Sequence, residues 1–236
     1  MITNAMNSSF LFSTLIVFVV MAFAPTSTRL SPKVESYVHA RQAEIDQIPD
    51  ERRAELLKIS EYIAACQAEK RPAKLLFVCT HNSRRSHLAQ LWAQLGATHF
   101  GIHGLETFSG GTETTAMNIR TVAALRRAGL EITTTDKDSS NPKYSVAFGT
   151  DESPLICFSK TLSDSSNPKD KFAAVMTCSS ADQSCPNVKG CELRLSLPYE
   201  DPKISDNTPK EAVAYDEKSK EIAREMLFVM SRVRTL

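Results

Sequence analysis

Apolar and polar positions change period several times along the chain. Over 31–70 the spacing is helical. Val34, Tyr37, Val38, Ile45 and Ile48 share one face, and Leu56, Ile59 and Ile63 share another beyond Pro49. This predicts two helices broken at Pro49, with Asp50 able to cap the second. A continuous apolar run over 74–78 predicts a buried strand. The periodic stretch from His87 predicts a helix to about Gly96. Further along, the pattern predicts a strand over 105–109, a helix over 116–128, strands over 172–177 and 193–197, and a final helix over about 209–232. Alternating strands and helices predict an α/β fold with a parallel sheet, helices on both faces, and a site at the carboxyl ends of the strands. Residues 141–162 read as an addition. Apolar runs over 144–148 and 155–158 flank a turn-rich stretch from Gly149 to Pro154, which predicts a β-hairpin insertion.

The chain therefore divides into a leading segment, 1–30, a helical extension, 31–72, and a main domain, 73–236. Phe10 to Ala24 is almost wholly apolar, and no acidic residue precedes Glu35. Fifteen helical residues reach about 22 Å, short of the ~30 Å hydrocarbon core, so a signal-like segment is expected rather than a span. The expected route is entry to a secretory or export pathway, with periplasm or plastid as destinations. Cleavage after Ala22 would leave Phe-Ala-Pro-Thr-Ser-Thr-Arg, similar to the presequence junction of plastid proteins in algae with complex plastids. A retained anchor, with membrane contact only through 10–24, is the alternative, as is an upstream start with a cytoplasmic protein.

Composition narrows the function. Twenty-eight basic and 27 acidic side chains give a net charge of +1, and no basic block or aromatic stripe points to nucleic acid. The five histidines lack ligand spacing, so no metal or cofactor is expected. Six cysteines could suggest a secreted disulfide framework. However, Cys79 and Cys178 end predicted strands, and Cys66 and Cys157 sit singly in apolar patterns.

The chemistry concentrates at Cys79-Thr80-His81-Asn82-Ser83-Arg84-Arg85-Ser86, between the 74–78 strand and the His87 helix. Backbone N–H groups of such a loop can converge on an anion, and the helix adds its positive end. Arg85 offers a planar two-pronged donor. Cys79 among these donors is expected to have a lowered pKa and to attack the centre of a bound oxyanion as a thiolate.

This C-x5-R-S loop resembles that of the low-molecular-weight tyrosine phosphatases and the thioredoxin-coupled arsenate reductases, which share one fold. The resemblance spans about 73–234 and includes Thr107-Phe108-Ser109-Gly110-Gly111-Thr112-Glu113. It implies a three-layer α/β fold, an anion site formed by residues 80–86, and Asp201 of Asp201-Pro202 as general acid. Thr177-Cys178-Ser179-Ser180-Ala181-Asp182-Gln183-Ser184-Cys185-Pro186 is similar to the reductases' segment, and ordinary phosphatases lack both cysteines. The reductase reading implies arsenate as substrate, a thiol relay from Cys79 through Cys178 to Cys185, and a thioredoxin-like reductant. Cys191 is either a substitute in that relay or incidental. The phosphatase reading implies phosphate esters and a phosphocysteine, and a third reading is a non-catalytic oxyanion or thiol sensor. Three positions depart from the families. His81 stands where glycine is usual, at a position expected to need positive φ. Arg84 replaces an uncharged residue and either lowers the Cys79 pKa further or faces solvent. Gln90 replaces a glutamate implicated in potassium binding in several reductases, so that site is not carried over.

Overall fold

The computed structural model describes residues 1, 30–149 and 153–233. Residues 2–29 of the leading segment, including the apolar stretch 10–24 and the Ala22 junction, lie outside the described residues. No helix among the described residues is long and apolar enough to cross a membrane.

Four parallel strands form the main sheet in the order β2-β1-β6-β7, with β1 Ala73–Cys79, β2 Leu105–Gly111, β6 Phe172–Met176 and β7 Cys191–Ser196. Side chains alternate across it. Leu75 and Phe77 face one core, and Leu76 and Val78 the other. The larger core is covered by helices α1 Pro32–Gln42, α2 Asp50–Ala68, α3 Arg85–Phe100, α4 Ile119–Ala128 and α6 Glu211–Val233. The opposite face carries the short helix α5 Ser179–Ser184 and the loops around Leu162 and Val188. The chain is thus α/β with three layers of unequal weight.

The helical extension is part of the main core. Val34, Val38, Leu56, Ile59 and Ile63 are fully buried in it. The Tyr37 ring stacks on Trp92 at 5.0 Å, and Trp92 Nε1 donates to Ser219 Oγ at 3.0 Å, joining α1, α3 and α6. Ser31 caps α1 by accepting from Val34 N, and Pro32 follows at the position where a missing N–H costs nothing. The helix stops at Gln42, short of Pro49. Ile45 falls in a separate 3-10 turn, Ile45–Gln47, and Ile48 just after it. Asp50 is the first residue of α2 and does not cap it; its charge instead complements the helix's positive end.

Helix α3 continues past Gly96, because that glycine marks a close crossing: a Cβ there would lie 3.1 Å from Met230 Cγ. Helix α4 begins three residues later than predicted, at the Asn118 cap. Residues 112–118 are used elsewhere, around the Cys79 loop. The hairpin is present as β4 Tyr144–Ala147 paired with β5 Leu155–Cys157. A strand not predicted, β3 Glu131–Thr133, adds to its edge. Ser31 N donates to the Phe148 carbonyl at 3.2 Å, beside a Leu30–Gly149 bridge, so the extension and the hairpin also meet.

Candidate active site

Cys79 closes β1, and the loop after it is shaped from outside. The carbonyl of Cys79 accepts from Thr112 N at 3.3 Å. That of Thr80 accepts from Glu113 N at 2.8 Å, and that of Ser83 from Asn118 N at 2.9 Å. Ser159 Oγ donates to the His81 carbonyl at 2.8 Å. Each peptide that turns its C=O outward turns the next N–H inward, so the loop presents N–H groups to its own centre. Gly111 makes this wrapping possible: a Cβ there would lie 2.7 Å from both Asn82 N and Thr80 O.

The positive φ of the loop falls on Asn82, at 43°, and not on His81. Asparagine tolerates this region better than most residues. The Asn82 amide is fixed at both ends: Oδ1 accepts from Lys160 N and Nδ2 donates to Ser86 Oγ, each at 2.9 Å. Ser86 Oγ, having accepted that bond, can donate to Cys79 Sγ at 3.1 Å. Behind the loop, His87 is buried with Nδ1 3.3 Å from Ser109 Oγ. Desolvation, helped by the Lys160 charge, lowers its pKa to about 3, so it stays neutral. Lys160 is itself buried over the Phe158 ring, and burial lowers its pKa.

Arg85 lies across the carboxyl end of the sheet. Nη2 pairs with Asp201 Oδ2 at 2.6 Å, and Nη1 donates to the Tyr199 carbonyl at 3.0 Å. Its buried Nε has no partner among the described residues. Arg84 does not face solvent: its side chain turns to Tyr215 and Asp206, at 2.7 and 3.4 Å, with Asp201 Oδ1 at 3.8 Å. His81 is partly exposed and sits 3.4 Å from Glu113. Gln90 Nε2 donates to the Thr107 carbonyl.

Cys178 follows β6, the strand beside β1. Val78 pairs with Met176, so Cys79 and Cys178 end neighbouring strands. Cys178 Sγ is 3.5 Å from Thr80 Oγ1 and accepts from Ala181 N at 3.4 Å, capping α5. Cys185 sits at the other end of that helix. At 1.5 Å per residue the two thiols' backbones are about 10 Å apart, beyond the reach of a disulfide while α5 is wound. Arg85, Cys178, Ser179, Tyr199, Glu200 and Asp201 line a cavity of about 430 Å³, which meets the loop at Arg85. A second cavity, about 470 Å³, shares Glu200 and Asp201 but contains no thiol.

The structure thus brings Cys79, Thr80, Asn82, Ser86, Arg85, Asp201 and Cys178 together and holds Cys185 apart. Sequence reasoning did not find Tyr199, Ser159, Lys160 or the Tyr215–Asp206 pair. Tyr199 acts through a carbonyl, which any residue carries. Ser159 and Lys160 act across about 80 positions of chain. Tyr199 is anchored from the extension: its hydroxyl donates to Glu225 Oε2 at 2.6 Å, and Arg52 grips both Glu225 oxygens at 2.9 Å.

No family model and no curated protein matches the chain. Among solved structures it is similar to a low-molecular-weight phosphotyrosine phosphatase from Vibrio cholerae, at 13% identity and a TM-score of 0.46, covering 69% of this chain and 97% of that one. It is similar to an arginine phosphatase from Geobacillus stearothermophilus at 16% identity and 0.46, covering 70% and 94%. A thioredoxin-dependent arsenate reductase from Corynebacterium glutamicum aligns at 14% identity and 0.35, covering 80% and 92%.

Proposed function

We propose that this protein is an arsenate reductase-like enzyme that works through a thiol relay. The supporting observation is the second thiol, Cys178, at the end of the strand next to Cys79 and against Thr80. Hydrolysis has no use for a thiol there; reduction requires one.

Arsenate enters the loop through inward N–H groups, Ser86 and Arg85. The oxyanion takes over the guanidinium, including the unpartnered Nε, and so releases Asp201 from its 2.6 Å pair. Arg84 Nε stays 3.8 Å from Asp201 Oδ1, so it is the anion set beside the vacated Oδ2 that lets the carboxyl hold a proton there and give it to the departing oxygen. The Cys79 thiolate attacks arsenic, forming an S–As bond as that oxygen leaves as water. Cys178 then attacks Cys79 Sγ. The S–As bond breaks with its electron pair staying on arsenic, and arsenite departs. Helix α5 unwinds and Cys185 attacks Cys178 Sγ, freeing Cys79. An external dithiol of the thioredoxin type closes the cycle.

A second reading, phosphate-ester hydrolysis through a phosphocysteine, draws on one observation: α5 as folded separates Cys178 from Cys185, whereas Cys79, Arg85 and Asp201 alone suffice for hydrolysis. Single-turnover trapping separates the two. Arsenate added to the reduced protein, followed by alkylation and mass spectrometry, should give a Cys79–Cys178 disulfide in Cys185→Ser and none in Cys178→Ser. Absence of any arsenate-dependent disulfide in the parent, with brisk p-nitrophenyl phosphate hydrolysis, selects the phosphatase.

A further inference from the structure

Four of the six cysteines pack on one face of the parallel sheet. Cys79 and Cys178 belong to the cluster of Leu76, Val78 and Met176, and Cys185 and Cys191 pack against it. Cys191 reaches that face through an irregularity. In the β6–β7 ladder Phe172 pairs with Cys191 and Ala173 with Leu193, so Glu192 is an extra residue. Leu193 and Leu195 face the helical core. A regular strand would turn Cys191 the same way, two residues earlier; the bulge turns it to the opposite face instead. Gly190 fixes the entry. Its φ is +84°, and a Cβ would sit 2.1 Å from the Lys169 carbonyl oxygen, so no other residue fits.

The four fall into a buried pair and a more exposed pair. Cys79 and Cys178 are 3% and 1% exposed, whereas Cys185 and Cys191 are half-buried. Because β6 and β7 are parallel, Cys191 lies at the amino end of the sheet and Cys178 at the carboxyl end. The five residues of β6 between them span roughly 16 Å. Cys185 lies midway in the chain joining them, seven residues after Cys178 and six before Cys191. Both ends of this arm are anchored, Cys178 by its strand and cap and Cys191 by its ladder.

We propose that Cys191 is a fourth redox thiol, and that a Cys185–Cys191 disulfide is the form in which the protein meets its external dithiol. The inference rests on the relay reading above. In the added step the Cys191 thiolate attacks Cys185 Sγ of the Cys178–Cys185 disulfide. The new S–S bond forms, the old one breaks, and the electron pair leaves on Cys178 as its thiolate. The external dithiol then supplies two electrons to Cys185–Cys191 and is itself oxidised to a disulfide. The reductant therefore docks at the amino end of the sheet, away from the anion loop, and Cys178 is reset before the reductant acts.

Trypsin reads this directly, because Lys189 lies between the two cysteines. Cys178 and Cys185 share peptide 172–189, and Cys191 lies on peptide 190–194. Full-length protein is oxidised with arsenate or, bypassing Cys79, with diamide, then alkylated and digested. Both oxidants should join 172–189 to 190–194. Under diamide Cys178→Ser should keep that link, which assigns it to Cys185. Cys191→Ser should trap the Cys178–Cys185 form and slow turnover at limiting dithiol about tenfold. If arsenate closes Cys178–Cys185 while Cys191 alkylates fully under both oxidants, the fourth thiol is overturned and the reduction reading stands. If arsenate leaves every thiol reduced while diamide joins the peptides, the reduction reading falls and the Cys185–Cys191 pair stands.

Discussion

The Cys79 loop and the 178–191 arm are built on opposite plans. In the loop, Asn82 and Ser86 are fully buried and four carbonyls are tied to partners outside it. In the arm, Ser179, Ser180, Gln183 and Ser184 are exposed and the only helix is six residues long. Isolated helices that short are marginal in water, so α5 is held by its ends and by the Asp182–Arg194 pair at 2.6 Å. The contrast suits two tasks. Binding a tetrahedral oxyanion needs donors fixed before the ligand arrives. Passing a disulfide along needs a thiol that can travel.

The largest effects belong to the fixed half. Cys79→Ser should reduce both arsenate reduction and phosphate-ester hydrolysis by roughly 10⁴–10⁶-fold, the scale for removing a nucleophile. Asp201→Asn should cost roughly 10²–10⁴-fold with poor leaving groups and much less with good ones. Steady-state kinetics checks each: parental rates in Cys79→Ser would show that the loop is not the chemical centre, and parental rates in Asp201→Asn with poor leaving groups would show that another residue is the acid.

Next comes the support that reaches the loop from the extension. Arg52→Met removes the partner of a Glu225 side chain that is only 5% exposed. A buried carboxylate left unpaired should destabilise the fold by about 3 kcal/mol, measured by urea unfolding, and loosen Tyr199 under Arg85.

His87 sets a pH dependence. Its folded pKa of about 3 lies below the ordinary value near 6.5, so between those values the unfolded chain binds a proton that the native state does not. Stability should therefore be intact above pH ~6.5 and fall on acidification by about 1.4 kcal/mol per pH unit. His87→Gln should flatten that slope, and an unchanged slope would place the acid sensitivity elsewhere.

The smallest effect sharpens the comparison most. Gln183 is an exposed position within α5, so Gln183→Gly should weaken the helix by about 0.5 kcal/mol and speed closure of Cys178–Cys185 about twofold. Gln183→Ala should slow it. Quenched-flow alkylation measures both, and hydrolysis by the same proteins should not change.

Local order was legible in the chain and long-range closure was not. The 74–78 run and the polar loop after it announced β1 and its turn, because a buried parallel strand is continuously apolar. The hairpin showed itself through two apolar runs around Gly149–Pro154. Gly96 misled, because its spacing looks like a stop signal when its cause is the nearby Met230. The left-handed residue was expected at His81 from the families' usual glycine, but the wrapping by Thr112, Glu113 and Ser159 puts it at Asn82. Strand β3 is three residues long, too short to show a period. Arg84 could not be placed without Tyr215 and Asp206, more than 100 positions away. The bulge at Glu192 leaves no mark in the sequence, because alternation around it still reads as an ordinary strand.

The central claim is that the rigid loop delivers its chemistry to a travelling thiol. The most direct measurement compares, on one purified sample, arsenate-dependent oxidation of reduced thioredoxin with hydrolysis of p-nitrophenyl phosphate, for the parent and for Cys185→Ser. The parent should sustain thioredoxin oxidation, Cys185→Ser should halt after one turnover, and both should hydrolyse the ester at similar rates. Rapid hydrolysis by the parent with no arsenate-dependent thioredoxin oxidation would contradict the claim.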